Sequence, residues 1–288
     1  MAILKVDTIS GIGTEGPVFE GDIEFRSNFL TLPKGDTTQR GRGRGFISGG
    51  SDGSRIKTIQ YLEIQSQGNA IDFGDMSAEI SLTASFASST RGVIAGGANP
   101  ASINTIEFIT IATTSNATDF GDLTDEKRYH AGLSNQVRGL TAGGAGYPSP
   151  ARTNIIDFVT IASEGNAQDF GDLTQNTYKG GAGTSNNTRA IHAGGNEPSF
   201  VTDIEFFTIA TTGNGTDFGD LTDARGYQAS LSNSVRGLNA GGYDGSTSLN
   251  IIDFVIIATT GNAKDFGDLL SINYATSGSS DSHGGLTE

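Results

Sequence analysis

The chain has 288 residues, 42 of them Gly, with 35% hydrophobic residues and neither Cys nor Trp. Its 18 Lys and Arg against 32 Asp and Glu give a formal charge of −14, a surface that repels nucleic-acid phosphates and anionic lipid heads. A disulfide framework and thiolate chemistry are excluded, and no run approaches the roughly 20 apolar residues that span a bilayer.

The first residues, "MAILKVDTIS", carry Lys5 and Asp7 and lack the apolar core of a signal peptide, so export by the usual route is not expected. "GIGTEG" (11–16) matches the dinucleotide pattern G-x-G-x-x-G, but "PVFEGDIEF" follows it with strand-like alternation where that pattern needs a helix N-terminus. Residues 1–40 read as an extended attachment arm, too short to fold alone. "RGRGR" at 40–44 is a short basic patch.

From residue 41 to 288 the chain repeats itself. Asp-Phe-Gly-Asp begins at Asp72, Asp119, Asp169, Asp217 and Asp265, at spacings of 47, 50, 48 and 48 residues. "RGFISGG", "RGVIAGG", "RGLTAGG", "RAIHAGG" and "RGLNAGG" precede these sites, starting at Arg44, Arg91, Arg138, Arg189 and Arg236. Between the two marks lies a β-branched and aromatic piece such as "TIEFITI" (105–111) or "IIDFVTI" (155–161). A looser piece follows each Asp-Phe-Gly-Asp, as in "KRYHAGLSN" (127–135). Four short strands repeated every 40–50 residues predict an all-β, five-bladed β-propeller with four-stranded antiparallel blades. The Phe residues Phe73, Phe120, Phe170, Phe218 and Phe266 are expected between blades. The flanking Asp residues, Asp72 and Asp75 in the first copy, are expected to close the turn through backbone hydrogen bonds or to pair with a neighbouring blade's repeat Arg.

The first blade lacks a loose piece ahead of Arg44, and the chain ends with a spare one: "SDSHGGL" (280–286) aligns with "SNSVRGL" (232–238). Residues of about 272–282 are therefore expected to supply the innermost strand of blade one and close the ring; a ring shared between two chains is the competing arrangement. The Arg, the strand ending in Gly-Gly and the later aromatic piece resemble kelch repeats, with Phe120, Phe170, Phe218 and Phe266 where those repeats carry Trp.

The wording of the arm, "MAILKVDTISGIGTEGPVFEGDIEF" then "LPKGDTTQRGRGRG", followed by "GNAxDFGDLT" and "RGLxAGG", is similar to virion structural proteins of marine cyanobacterial bacteriophages. That resemblance implies a virion protein, assembled in the host cytoplasm, in several copies per particle. It would contact other virion proteins through residues 1–40; the resemblance implies no catalytic role, and the chain is expected not to be an enzyme. The alternative expectation is a receptor-binding adhesin or tail-fibre component gripping a host glycan or outer-membrane protein; a glycan hydrolase is the third class.

Chemistry is sparse. His130, His192 and His283 sit in non-equivalent pieces with no metal-ligand spacing, so each is expected to be a surface or strand residue; no metal, cofactor or catalytic residue is assigned. Carboxylates recur alike in most blades, as structural groups do, whereas a glycosidase needs an asymmetric pair across the funnel. The repeats differ mostly in the loops after Gly-Gly, where Tyr147, Arg152, Phe200 and Tyr243 are the candidate binding residues. Tyr129, Tyr178, Tyr227 and Tyr274 recur six or seven residues past Asp-Phe-Gly-Asp, where they would either pack between blades or ring the channel mouth and stack on sugar.

Overall fold

Alternating β-branched and Gly-rich pieces give short strands joined by tight turns, and the chain is a five-bladed β-propeller. The computed structural model describes residues 44–63, 68–146, 152–178, 182–196, 198–275 and 278, among which there is no helix. Blade one contributes β1 (Arg44–Ser48), β2 (Thr58–Glu63) and β3 (Ile71–Asp75). Blade two holds β4 (Ala84–Ala87), β5 (Arg91–Ala95), a small hairpin of β6 (Ala98–Asn99) and β7 (Ala101–Ser102), then β8 (Thr105–Thr110) and β9 (Thr118–Asp122). Blade three is β10 (Ala131–Ser134), β11 (Arg138–Ala142), β12 (Thr153–Thr160) and β13 (Gln168–Thr177). Blade four is β14 (Ala182–Ser185), β15 (Arg189–Ala193), β16 (Asp203–Thr208) and β17 (Thr216–Asp220). Blade five is β18 (Ala229–Ser232), β19 (Arg236–Ala240), β20 (Leu249–Ile256) and β21 (Lys264–Asn273). Each blade is an antiparallel meander in chain order.

Asp-Phe-Gly-Asp is a β-bulge that doubles as a docking site. In blade two, Ile106 pairs with Gly121 and the next residue, Glu107, with Asp119, so Phe120 is the extra residue that bends the strand. Gly121 takes φ 145°, a region that L side chains avoid, and a Cβ there would lie 2.5 Å from the Gly165 carbonyl oxygen of blade three. The blades touch at that point. The Gly165 and Ala167 amides donate to the Phe120 and Asp122 carbonyls at 2.8 and 2.7 Å. The Asp122 amide donates to Asn166 Oδ1 at 3.2 Å. The Asn-centred loop before the bulge (Gly-Asn-Ala in blades three and five) is thus the receptor for the preceding blade's bulge, and Asp75 with Asn116, Asp172 with Asn214 and Asp220 with Asn262 repeat the bond.

The side-chain roles of the motif differ partly from expectation. Asp169 and Asp265 accept from the Gly171 and Gly267 amides at 3.1 and 3.0 Å, closing the bulge. The repeat Arg does not go to these Asp residues. Arg91, Arg138 and Arg189 stack on Phe108, Phe158 and Phe206 of their own blade at 4.3–4.6 Å. Each then donates to a carbonyl at the end of the next blade's third strand, those of Ile161, Ile209 and Ile257. Arg44 stacks on Tyr61 and reaches the Ile111 carbonyl likewise, and Arg236 stacks on Phe254. A partly exposed cation–aromatic stack contributes about 0.5–1 kcal/mol. A fully buried Phe or Ile contributes roughly 1.5–3 kcal/mol, so the apolar clusters dominate each junction. One such cluster joins Phe120 and Leu123 of blade two to Val159, Ile161 and Ala167 of blade three, and equivalent clusters serve the junctions on either side.

A buried acid completes each junction. The third strands carry Glu107, Asp157, Glu205 and Asp253 at equivalent positions, all buried. Each accepts from a Ser or Thr just after the previous blade's bulge: Ser77, Thr124, Thr174 and Thr222. The two Asp residues, a methylene shorter, add a buried cation. Lys127 lies 2.8 Å from Asp157, and Arg225 lies 2.8 Å from Asp253. At the position of Lys127 and Arg225, the junctions that use Glu107 and Glu205 carry Ile80 and Thr177. Burial holds the pKa of Lys127 below its ordinary value against the pull of Asp157.

Innermost strands are four residues long and nearly touch. Ser134 donates to the Ala87 carbonyl, Ser185 to that of Ser134 and Ser232 to that of Ser185, a ladder of 2.8–3.0 Å bonds around the axis. Three of these strands end in an Asx turn: Asn135, Asn186 and Asn233 each accept the amides two and three residues on, and Ser88 takes that place in blade two. Phe73, Phe120, Phe170 and Phe218 are buried between blades, but Phe266 is 51% exposed. The innermost strand expected for blade one falls mainly outside the described residues. Gly278 is described and lies on Ser230 and Leu231 of β18, as Gly183 lies on Gly132 and Leu133 of the blade before it. The attachment arm of residues 1–40 and His283 also lie outside them.

Candidate functional site: an aromatic and arginine cluster at one mouth of the axis

Two kinds of segment meet at one end of the propeller: the turns leading into the innermost strands and the loops after Gly-Gly. Isolated bridges tie them together, Arg128 to Ala145, Tyr178 to Asn196 and Gly226 to Tyr243. Repeat position thereby becomes spatial convergence. Tyr129 and Tyr178 stack edge to face with centroids 5.3 Å apart, and Tyr129 also reaches Tyr227 across the axis at 6.4 Å. Tyr227 meets Tyr274 at 6.2 Å.

The variable loops join this group. Phe200 lies 6.4 Å from Tyr227 and 5.7 Å from Tyr243, and Tyr243 lies 5.6 Å from Tyr274. The Arg152 guanidinium sits 5.9 Å from the Tyr178 ring, and that of Arg128 sits 5.4 Å from Tyr129. Three of the four loop residues singled out in the sequence, Arg152, Phe200 and Tyr243, are therefore neighbours of the tyrosine ring; Tyr147 lies outside the described residues. Tyr129, Tyr178 and Tyr227 are half-buried and Tyr274 is exposed.

The four tyrosines are not one repeat position. Tyr129 and Tyr227 stand seven residues past Asp-Phe-Gly-Asp, and Tyr178 and Tyr274 stand six past it. Tyr129 and Tyr227 take φ 57° and 58°, and so do Leu82 (63°) and Ala275 (57°) at nearby turns. A left-handed backbone is rare for a bulky side chain. Here the propeller's turn geometry imposes it on Leu and Ala as well, so the strain belongs to the fold and the ring belongs to the site.

Burial raises the pKa of Tyr178, with neighbouring Tyr129 adding to the effect and Arg128 and Arg152 opposing it. Burial likewise raises that of Tyr227. Both phenols therefore stay neutral at physiological pH and can donate a hydrogen bond. The loop of Tyr243 is internally braced: its phenol donates to the Gly245 carbonyl at 3.0 Å, and Asp244 accepts the Ser246 and Thr247 amides. Those amide bonds lower the pKa of Asp244, the Thr247 bond most. Aromatic faces and guanidinium groups suit stacking and hydrogen bonding.

Other titratable groups lie elsewhere. His130 is buried, its Nε2 3.1 Å from the Ala95 carbonyl, and His192 is buried within β15. Burial, aided at His130 by nearby Lys127, lowers their pKa values to about 3 and about 4. Among the described residues no group of three or more His, Asp or Glu is placed to hold a metal ion. The sequence reading missed the buried acids and their cations. Their signal was the Glu or Asp in the middle of four successive apolar strands. No protein-family model matches the chain and no curated protein is similar to it, so the fold assignment rests on the strand topology.

Proposed function

We propose that this chain is a non-enzymatic structural protein of a bacteriophage particle, kelch-like in its repeats, held through residues 1–40 and displaying the propeller in several copies. The arm and repeat phrases support the particle assignment by resemblance. The non-enzymatic reading rests on one observation: Glu107, Asp157, Glu205 and Asp253 are buried and engaged in holding blades together. Their oxygens accept from a neighbouring blade's hydroxyl or amide, a structural role unlike that of the open carboxylate pair a glycosidase needs. The test is incorporation. The tagged full chain is expected in purified particles and a chain lacking residues 1–40 is not. Equal incorporation of both, or sugar release from host polysaccharide by the purified protein, refutes the reading.

A second reading, receptor binding, is favoured by the cluster of Tyr129, Tyr178, Tyr227, Tyr274, Phe200 and Arg152 on one face, because clustered aromatics and Arg dominate contact energetics. The purified chain would then adhere to host cells, and Tyr274→Ala with Arg152→Ala would abolish adhesion while leaving particle incorporation intact.

A further inference from the structure

Four junctions use one set of contacts, and a fifth set is present but uncovered. Phe266 is 51% exposed where its four equivalents are 2–3% exposed. Gly267 repeats the positive φ of the bulge (139°), yet a Cβ on it would meet nothing within 4 Å. At Gly74, Gly121 and Gly171 the same Cβ would strike the next blade's backbone at 2.3–2.5 Å. Leu270 and Ile272, further along β21, are exposed as well.

The receptor half is equally bare. Blade one carries Gly68, Asn69 and Ala70 in the order of the other "GNA" loops, and all three are exposed. Among the described residues Asn69 does not accept from the Asp268 amide, the bond that the four other junctions make. The acid lock is altered on both sides at once. Gln60 replaces the acid, Asn273 replaces Lys127 or Arg225, and Leu270 replaces the hydroxyl donor. Asn273 and Gln60 are both uncharged, and each can donate and accept, so they can face one another without burying a charge.

We propose that the blade-five face binds the blade-one face of a second copy of this chain, head to tail. A single chain carries both halves and leaves both uncovered, and the repeat specifies what fits: a "GNA" loop with Gln opposite Asn273. The pairing is heterologous, so it builds a closed ring of copies or an open row.

The absence of Cys makes the test clean. One tagged full chain carries Asn69→Cys and an untagged one carries Asp268→Cys; both positions are at the exposed seam. Mixed and treated with a short bis-maleimide, they are expected to give a heterodimer, and uncross-linked protein to run at multiples of 29.8 kDa. Leu270→Asp is expected to abolish both without changing the circular dichroism. A double-cysteine chain that cross-links only to itself, or a mixture that yields no heterodimer, overturns the proposal.

Discussion

Removing the Arg225 guanidinium tests the junction chemistry most directly. Asp253 has no exposure, and its Oδ2 lies 2.8 Å from Arg225 Nη2. In Arg225→Met the carboxylate keeps only the Thr222 amide and hydroxyl, at 3.1 and 2.7 Å. Breaking a buried pair from one side costs about 3–5 kcal/mol, because the remaining charge is uncompensated. At about 2–4 °C per kcal/mol for a chain of this size, the thermal midpoint falls by roughly 6–20 °C. The junction before it supplies the rescue. There Thr177 stands where Arg225 does, and Glu205 takes two bonds from Thr174 without a cation. Arg225→Thr with Asp253→Glu transplants that arrangement, since Thr222 already occupies the donor position, and should return stability to within about 1 kcal/mol of the parent, as compensated swaps of buried ionic groups do. Urea midpoints for the parent, the single and the double variant decide the matter. A single variant that loses under 1 kcal/mol, or a double variant no better than the single, refutes the reasoning.

Four further outcomes are expected. His130 and His192 are held neutral, with pKa values of about 3 and about 4 against 6.5 unfolded, so their contribution is present above pH 6.5 and declines as pH falls toward those values. Each contributes up to about 1.4 kcal/mol per pH unit in that window, and His192→Gln should flatten a plot of stability against pH. Glu205 acts the other way: burial raises its pKa, so its contribution is full below 4.5 and fades as pH rises, partly offsetting the histidines. Gly121→Ala and Gly267→Ala impose the same backbone strain, but only the first meets a neighbouring carbonyl, so urea unfolding of the isolated chain should show the first costing at least 1 kcal/mol more. Tyr274→Ala removes an exposed ring and should leave the thermal midpoint within about 2 °C, since surface substitutions stay within roughly 0.5 kcal/mol.

The blade count and strand order were readable because the repeats carry their turn chemistry locally: Gly-Gly after the second strand, Asn or Ser before it in blades two to five, and a bulge Gly in the fourth. Other features depend on neighbours far along the chain. An acid amid apolar residues reads as solvent-facing until the adjoining blade supplies its donor, as Thr174 does for Glu205. Phe266 is spelled like its four equivalents, and only the lack of a covering neighbour leaves it exposed. The tyrosine offset of six or seven residues was visible, but its meaning was not, because one residue more or less in a turn swaps which ring points across the axis.

The buried acids run Glu, Asp, Glu, Asp from blade two to blade five. A two-letter alternation tiles an even circle, and five is odd. Whatever blade follows the fifth must break the pattern, and the two positions that would meet there, Asn273 and Gln60, are both uncharged. Parity therefore fixes where this molecule can be cut or extended: removing blades two and three together would keep every remaining lock matched to its key, whereas removing one alone would set a buried cation against the wrong acid or strand an Asp without one.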